Sequence, residues 1–197
     1  CPVGAIYEKD ETRTLMRAIR DPEKHVAVQI APAVRVAIGE AFGMEPGTIS
    51  TGKIYAALRM LGVDAVFDTN FSADLTIMEE GTELLMRLKS ALVDKKEVAL
   101  PQFTSCSPGW IKYMEYFHGD ILDHLSTCKS PQQMMGTLIK TYYAKTRGID
   151  PAKIVSLSIM PCTAKKMEAA RPELGRDGRP DTDIVITEIV GVLEILQ

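Results

Sequence analysis

Two loops that each carry a cysteine constrain the fold of this chain more than any other feature. A short apolar run at residues 100–103 leads into a small polar loop that contains Cys106, and the single tryptophan, Trp110, follows. A β-branched run at residues 154–159 leads in the same way to Cys162. Each run is read as a strand that ends, presents a thiol at its carboxyl end and continues into a helix. Since ligands of open α/β sheets lie outside the carboxyl ends of the strands, the two thiols indicate one shared ligand.

The rest of the chain repeats this alternation of strands and helices. Alternating β-branched runs predict strands, and apolar residues three or four positions apart predict helices. Strands are predicted at residues 25–32, 64–69, 154–159 and 184–186, and in the run before Cys106. Helices are predicted at residues 10–21, 33–42, 51–61, 108–117, 132–145 and 188–196, after Cys162, and from Ser72 or Thr76 to residue 88. Such an order predicts an α/β fold with a largely parallel sheet flanked by helices.

Composition limits the class of protein. The chain has 197 residues with 46% hydrophobic and 25% charged content, which suits one globular domain of moderate size. The net charge of -3 gives no reason to expect a nucleic-acid partner, and no apolar run is long enough to span a bilayer. No signal peptide is visible in the given sequence. We expect a cytoplasmic location. The chain begins with Cys1 and ends within a helical pattern, so we expect both ends to be cut.

The cysteines favour metal or redox chemistry over disulfides. The chain has four of them, Cys1, Cys106, Cys128 and Cys162, and they lie far apart in the sequence. A disulfide framework is therefore not expected. No C-x-x-C pair is present, and no histidine neighbours Cys106 or Cys162, so a zinc site or an iron–sulfur cube would need further ligands from elsewhere. For Cys128, a role as a small buried apolar residue is an equal alternative.

Charged residues near these loops have two interpretations. Lys165 lies three positions after Cys162 and would favour an anionic ligand, with Glu168 anchoring that turn by a salt bridge. An ordinary charged helix surface is the alternative. The helix that starts at Ser72 or Thr76 is expected to bury Met78, Leu84, Leu85 and Leu88. Its early turns carry Glu79, Glu80 and Glu83, for which a solvated face near the positive helix end is the simplest explanation.

Several motifs resemble those of one family. Residues 104–110, T-S-C-S-P-G-W, closely resemble the first signature loop of iron-only, or [FeFe], hydrogenases. Residues 160–168 match the second signature, M-P-C-x-x-K-x-x-E, at every fixed position. Residues 31–35, 68–80 and 129–133 are similar to further stretches of the catalytic domain, and the Cys106-Ser107 pair resembles NAD(P)-linked, multimeric members.

The resemblance implies a domain organisation. Residues 1–8 would end a ferredoxin-like [4Fe-4S] segment, and residues 9–197 would form a partial H-cluster domain. This part would comprise the first lobe and the start of the second. The third cysteine signature of the family is not present in the sequence, so we expect an active intact parent and an inactive isolated fragment.

The resemblance also implies an activity and its cofactors. The family interconverts hydrogen with protons and electrons at the H-cluster, a [4Fe-4S] cube joined to a two-iron subcluster. Accessory [4Fe-4S] clusters pass the electrons, and the partners are ferredoxin or NAD(P)-linked flavin and iron–sulfur subunits. Carried over by motif, Cys162 would bind the cube, Lys165 a cyanide of the subcluster, and Cys1 an accessory cluster. Met160 and Pro32 would line the pocket.

The proton path of the family can be carried over in the same way. Its matching positions here, from the cluster outward, are Cys106, Glu80, Ser126, Glu83 and Arg87. The family usually has a second cysteine, a cube ligand, at the position of Ser107. Either Ser107 binds iron through oxygen, or Cys106 takes the ligand role, or the cube is held differently. The alternative function is a non-catalytic hydrogenase-like sensor or iron–sulfur assembly protein, although such relatives tend to lose the proton path.

Overall fold

A four-stranded parallel sheet forms the centre of the chain. The computed structural model describes residues 2–5 and 9–187. The strands in chain order are β1 (His25–Ile30), β2 (Ala65–Asp68), β3 (Ile154–Ile159) and β4 (Ile184–Ile186). They lie side by side in the order β2-β1-β3-β4, and every neighbouring pair is parallel. The prediction of an α/β fold with a largely parallel sheet is therefore confirmed.

The strand order places a switch point between β1 and β3. From β1 the chain moves to β2 on one side and then returns to β3 on the other. The two central strands are in full register, from His25 opposite Ile154 to Ile30 opposite Ile159. At such a point the connections leave in opposite directions, which opens a crevice at the carboxyl edge of the sheet.

Eight α-helices and several shorter turns surround the sheet within the described residues. The α-helices are α1 (Thr12–Arg20), α2 (Val34–Ala37), α3 (Thr51–Met60), α4 (Thr69–Leu92), α5 (Pro108–Phe117), α6 (Pro131–Leu138), α7 (Ala144–Arg147) and α8 (Ala164–Ala169). A π-helical turn (Ile139–Tyr143) joins α6 to α7, so the helix predicted at residues 132–145 is continuous but not uniform. The 3₁₀ turns are Ile38–Phe42, Gly119–His124, Pro151–Lys153 and Pro172–Leu174. The helix predicted at residues 188–196 lies outside the described residues.

The two faces of the sheet differ in chemistry. On one face, apolar residues of β1 and β3 such as Val28 and Leu157 pack with Leu15 of α1 and with Ile54 and Leu58 of α3. Burial of this apolar cluster is the main stabilising contribution to the fold.

The opposite face, which α6 covers, is partly polar. A small apolar group including Ala27 and Met135 lies there. Beside it, Gln29, Ser156 and Ser158 have no exposed surface. Burial of a polar group is costly unless it is hydrogen-bonded; Gln29 and Ser158 have partners, whereas the Ser156 hydroxyl has none within the described residues.

Helix α4 differs from its prediction in its start and its orientation. It begins at Thr69, directly after β2, and its cap is Asp68, whose side chain accepts a hydrogen bond from the Asn70 N–H at 2.9 Å. Ser72 and Thr76 therefore do not cap the helix; each donates its hydroxyl to the carbonyl of an earlier turn and is buried. Because the helix starts earlier, the glutamates lie at its middle, and the helix-dipole explanation for them is wrong.

The buried face of α4 is the polar one. Thr69, Ser72 and Thr76 point into the protein, while Met78 and Leu85 are 69% and 68% exposed. The predicted burial of Met78, Leu84 and Leu85 is thus wrong for the described part of the chain. Polar contacts of α4 with the neighbouring loops set its orientation instead.

The run before Cys106 is not a strand of the sheet. It makes a single isolated bridge, between Phe103 and Leu125, with hydrogen bonds of 2.7 Å on either side. The prediction of a sheet strand here was wrong because the apolar run finds a partner in the loop before α6, away from the parallel strands. No helix in the described part of the chain is long and apolar enough to cross a membrane.

Candidate functional site

The carboxyl edge of β1 and β3 brings the first predicted residues together. Met160 follows β3 directly and is 4% exposed, with its N–H bonded to the Ile186 carbonyl. The Ala31 N–H bonds to the Ile159 carbonyl, which places Pro32 beside the end of β3. Cys162 is exposed just beyond this edge. The switch point of the sheet therefore brings Pro32, Met160 and Cys162 to the same edge.

Lys165 connects the two cysteine loops. Its Nζ donates to the carbonyl oxygen of Cys106 at 2.9 Å, and its own N–H bonds to the Cys162 carbonyl at 3.0 Å. The Cys106 and Cys162 thiols are both free and exposed. Cys106 thus reaches the site through its loop and Lys165, not through a sheet strand.

A buried carboxylate holds Lys165 in place. The Lys165 Nζ lies 3.0 Å from Glu168 Oε2, and the two side chains are only 14% and 7% exposed. Glu168 Oε2 also accepts hydrogen bonds of 2.9 Å from Ser130 Oγ and Gln132 Nε2. The salt bridge expected from the sequence is present, and the interpretation of these charges as ordinary helix surface is wrong because both side chains are enclosed.

A polar network missed by the sequence reasoning extends from Glu168 into the sheet. Gln132 Oε1 accepts a hydrogen bond from Ser158 of β3, and the Gln132 carbonyl accepts one from Gln29 Nε2 of β1, each at 2.9 Å. Gln29 Oε1 in turn accepts the Thr69 hydroxyl at the start of α4. A glutamine within the otherwise apolar run of residues 26–30 was the available signal, since such a residue needs buried partners.

A second cluster forms where α4 meets the loop before α6. The Ser126 hydroxyl donates to Glu83 Oε2 at 2.7 Å, and the Thr127 N–H donates to the same oxygen at 3.1 Å. Arg87, one turn further along α4, donates from Nη2 to Glu83 Oε1 at 2.7 Å. Three of the five residues of the predicted proton path, Ser126, Glu83 and Arg87, are therefore in direct contact.

Arg87 uses all five of its N–H donors. Besides two bonds to Glu83, the guanidinium donates to the carbonyls of Ala99, Asp123 and Leu125 at 2.9 to 3.0 Å. The arginine thus ties α4 to the segments on either side of the Cys106 loop. Its side chain is 15% exposed and that of Glu83 is 17% exposed, so the pair is well shielded from water.

Glu80 is connected less directly. Its Oε1 accepts the backbone N–H of Ser105, the residue before Cys106, at 3.4 Å. Within the described residues no hydrogen bond joins Glu80 to Ser126 or to the Cys106 thiol. Glu80 therefore contacts the Cys106 loop, but the described residues do not connect Ser126, Glu80 and the Cys106 thiol by a continuous chain of hydrogen bonds.

Hydrogen bonding and burial shift two pKa values in this cluster. Burial alone would raise the pKa of Glu83, but hydrogen bonds from Ser126, Arg87 and Thr127 together hold it below its usual range. Cys128 lies beside it, with its Sγ 3.9 Å from Glu83 Oε2. Burial, together with the negative charge of the nearby glutamates, raises the pKa of the Cys128 thiol above its usual range, so this cysteine stays protonated at neutral pH.

The two exposed thiols suit an iron–sulfur cluster, but they are only part of the ligands that such a cluster needs. Soft thiolates are the preferred ligands of iron–sulfur clusters, and Cys106 and Cys162 offer two at one edge. Ser107 occupies the cap position of α5, yet its exposed hydroxyl makes no capping bond. Residues 2–5 and 9–187 contain no group of three or more cysteine, histidine or acidic side chains arranged around a metal position. Cys1 lies outside the described residues.

These features define a class of protein: a parallel α/β domain with thiols and a buried lysine at its switch point. The chain belongs to the family of the iron-only hydrogenase large subunit, whose C-terminal domain matches residues 24–194. It is 56% identical to the NADP-reducing hydrogenase subunit HndD of Solidesulfovibrio fructosivorans, over 95% of this chain and 32% of that protein. The chain therefore spans about a third of the length of this relative.

Two further comparisons define the range of the family. An apo [FeFe]-hydrogenase HydA1 variant from Chlamydomonas reinhardtii superimposes with a TM-score of 0.85 at 44% identity, over 94% of this chain and 47% of that one. The cytosolic Fe-S cluster assembly factor narfl of Danio rerio is 40% identical over 87% of this chain and 42% of that protein. The relatives of this chain thus include both hydrogenases and an iron–sulfur cluster assembly factor.

Proposed function

We propose that this chain is the first part of the catalytic domain of an [FeFe] hydrogenase that interconverts hydrogen with protons and electrons. One observation supports the proposal above the others: Ser126 and Arg87 are both hydrogen-bonded to Glu83, in a cluster that is well shielded from water. The similarity to the hydrogenase subunit HndD supports the same function.

In this proposal residues of both cysteine loops hold one side of the H-cluster. Cys162, with Cys106 or Ser107, would ligate the [4Fe-4S] cube, and ligands from outside residues 1–197 would complete it. Lys165 would bind an anionic cyanide of the two-iron subcluster, a role that its fixed, charged Nζ suits. Met160 and Pro32 would line the apolar wall. When bound, the H-cluster would supply the metal centre at which protons and electrons combine.

The chain's own residues would move the proton. Arg87 fixes Glu83, and the hydrogen bonds from Ser126, Arg87 and Thr127 keep the carboxylate ionised, so that its oxygens would be free to take up a proton. Once Glu83 is protonated, it would donate that proton to Ser126 Oγ, 2.7 Å away, and the serine would release its own hydroxyl proton inward toward Glu80. Glu80 and the Cys106 thiol would complete the inner half. The proton path would then be fixed by loop contacts on one side of α4.

The electron path and the surroundings of the domain are part of the same proposal. Residues 1–8 would end a ferredoxin-like segment whose Cys1 ligates an accessory [4Fe-4S] cluster, and residues 9–197 would begin the H-cluster domain. The electron partners would be ferredoxin or NAD(P)-linked flavin and iron–sulfur subunits, in the cytoplasm. The Cys-Ser form of the first loop and the similarity to HndD favour the NAD(P)-linked type.

Cofactor maturation of the intact protein tests the proposal. We expect hydrogen turnover together with the carbonyl and cyanide infrared bands of an H-cluster, and we expect Cys162→Ser to lose both. Cys128→Ser, a thiol variant outside the proposed ligand set, should keep the infrared bands. Replacing Ser107 with Cys and comparing the cluster spectra separates the ligand roles of Ser107 and Cys106, since unchanged spectra argue against ligation by Ser107.

The second candidate is a non-catalytic sensor or iron–sulfur assembly protein, and the 40% identity to the narfl assembly factor favours it. A cluster that binds to the matured protein without any hydrogen turnover would support this candidate over the hydrogenase.

A further inference from the structure

Ser105 makes two hydrogen bonds that the proton path does not use. Its backbone N–H donates to Glu80 Oε1 at 3.4 Å, and its hydroxyl donates to the Cys128 carbonyl at 2.7 Å. Ser105 therefore touches both the inner glutamate of the path and the loop that carries the serine of the path.

The contact continues from Cys128 to the outer half of the path. The Cys128 N–H donates to Ser126 Oγ at 3.1 Å, and the Ser126 hydroxyl donates to Glu83 Oε2 at 2.7 Å. Both peptide groups that flank Cys128 are thus fixed, one by Ser105 and one by Ser126. Because the Cys128 N–H occupies an acceptor site on Ser126 Oγ, the serine proton is directed at Glu83.

We propose that Ser105 is a positioning residue of the proton path, which holds Glu80 and the Ser126–Glu83 pair in one fixed arrangement by joining the Cys106 loop to the Cys128 loop. The inference rests on the proposed function. Ser105 itself carries no proton along the path, since its hydroxyl donates to an amide carbonyl, which is not protonated at neutral pH. Proton transfer needs heavy atoms about 2.6 to 3.2 Å apart, so a small loop displacement is enough to interrupt it.

The Cys106 loop and the Cys128 loop are also joined at Phe103, which accepts the Ser126 N–H and donates to the His124 carbonyl, each at 2.7 Å. The Ser105 hydroxyl adds a contact on the other side of Ser126, at the Cys128 carbonyl, to which no other hydrogen bond is made within the described residues. The charged and titratable groups around the Cys128–Glu83 contact are Arg87 and the glutamates at 79 and 80. Loss of the Ser105 hydroxyl leaves the Cys128 carbonyl unpaired and releases the Cys128 side of the loop, while the contacts of Phe103 remain.

The test compares three variants of the intact, matured protein. Ser105→Ala removes the hydroxyl, Ser105→Thr keeps it, and Thr104→Ala is the control, because Thr104 is exposed in the same loop and makes no side-chain hydrogen bond within the described residues. We expect Ser105→Ala to keep the infrared bands of the H-cluster and to lose about tenfold to a hundredfold in hydrogen turnover. Ser105→Thr should recover most of the rate, and Thr104→Ala should match the unsubstituted protein.

A second readout needs no cluster. The carboxyl stretch of protonated Glu83, assigned by its absence in Glu83→Gln, is titrated in the infrared before the cofactor is inserted. In Ser105→Ala we expect the pKa of Glu83 to rise toward the ordinary range, because the Ser126 and Thr127 donors move away. An unchanged titration of Glu83 in Ser105→Ala overturns the positioning role. A protein that binds no cluster refutes the proposed function instead, and the Glu83 titration still decides the role of Ser105.

Discussion

The buried pair of Lys165 and Glu168 allows a sharp test of the energetics. Glu168 accepts four hydrogen bonds: two from Lys165 and one each from Ser130 and Gln132. Replacing it with glutamine removes the negative charge beside an ammonium group that is only 14% exposed. Breaking a buried ion pair by removing one partner typically costs about 3 to 5 kcal/mol, and partial exposure of the lysine places this case near the lower end.

The measurement is urea unfolding of the intact protein. With an unfolding slope of about 1 to 3 kcal/mol per molar urea, a loss of about 3 kcal/mol lowers the midpoint by about 1 to 3 M. Lys165→Met is the matched partner variant for a double-mutant cycle. It removes the cation and leaves Glu168 with its hydrogen bonds from Ser130 and Gln132. The double variant should be less destabilised than the sum of the single variants. A loss below about 1 kcal/mol for Glu168→Gln would refute the reasoning, because it is the value of a solvent-screened surface pair.

Three further predictions concern the scaffold. Since the pKa of Glu83 is lowered in the folded chain, its stabilising contribution is complete above its unfolded pKa of about 4.3 and is lost as the pH falls through the folded value. The stability difference between the unsubstituted protein and Glu83→Gln should therefore shrink on acidification in unfolding experiments, and a constant difference would contradict this. Asp68→Ala removes the cap of α4 together with the 2.9 Å ion pair to Arg35 and should cost about 1 to 2 kcal/mol, whereas Asp68→Asn keeps the cap and loses only the partly exposed ion pair, so it should restore most of the stability; equal loss in both would assign the effect to the ion pair. Gly136→Ala would place a methyl group 2.7 Å from the Asp181 carbonyl and should destabilise by about 1 to 3 kcal/mol, while Gly81→Ala, in open space on α4, should not; equal thermal midpoints would contradict the clash.

The regular elements could be read from the sequence with good accuracy. The strand Ile154–Ile159 and the helix Pro108–Phe117 form where the pattern predicted them. Local patterns suffice here because a buried parallel strand is a short run rich in β-branched residues. Proline is favoured at the first position of a helix, so Pro108 marks the start of α5.

The orientation of α4 could not be read in this way. Its sequence has apolar residues on one side and polar residues on the other, and the pattern favours burial of the apolar side. In the structure the buried side carries Thr69, Ser72 and Thr76, and Glu83 and Arg87 lie on the same side against the loops. The backbone carbonyls that accept hydrogen bonds from Arg87 belong to residues 99, 123 and 125. These residues are distant from Arg87 in the sequence, so no local pattern predicts the contacts.

The amino-acid sequence by itself determined the class of fold, the two thiol loops and the family motifs, because these depend on residue types at short, fixed spacing. The tertiary structure alone decided that Lys165 and Glu168 are enclosed, that Cys106 reaches the site from outside the sheet, and that Ser105 contacts both Glu80 and the Cys128 loop. These arrangements depend on hydrogen bonds between segments that are distant in the sequence. Such bonds contribute strongly to the free energy of folding only after the folded chain has excluded water around them.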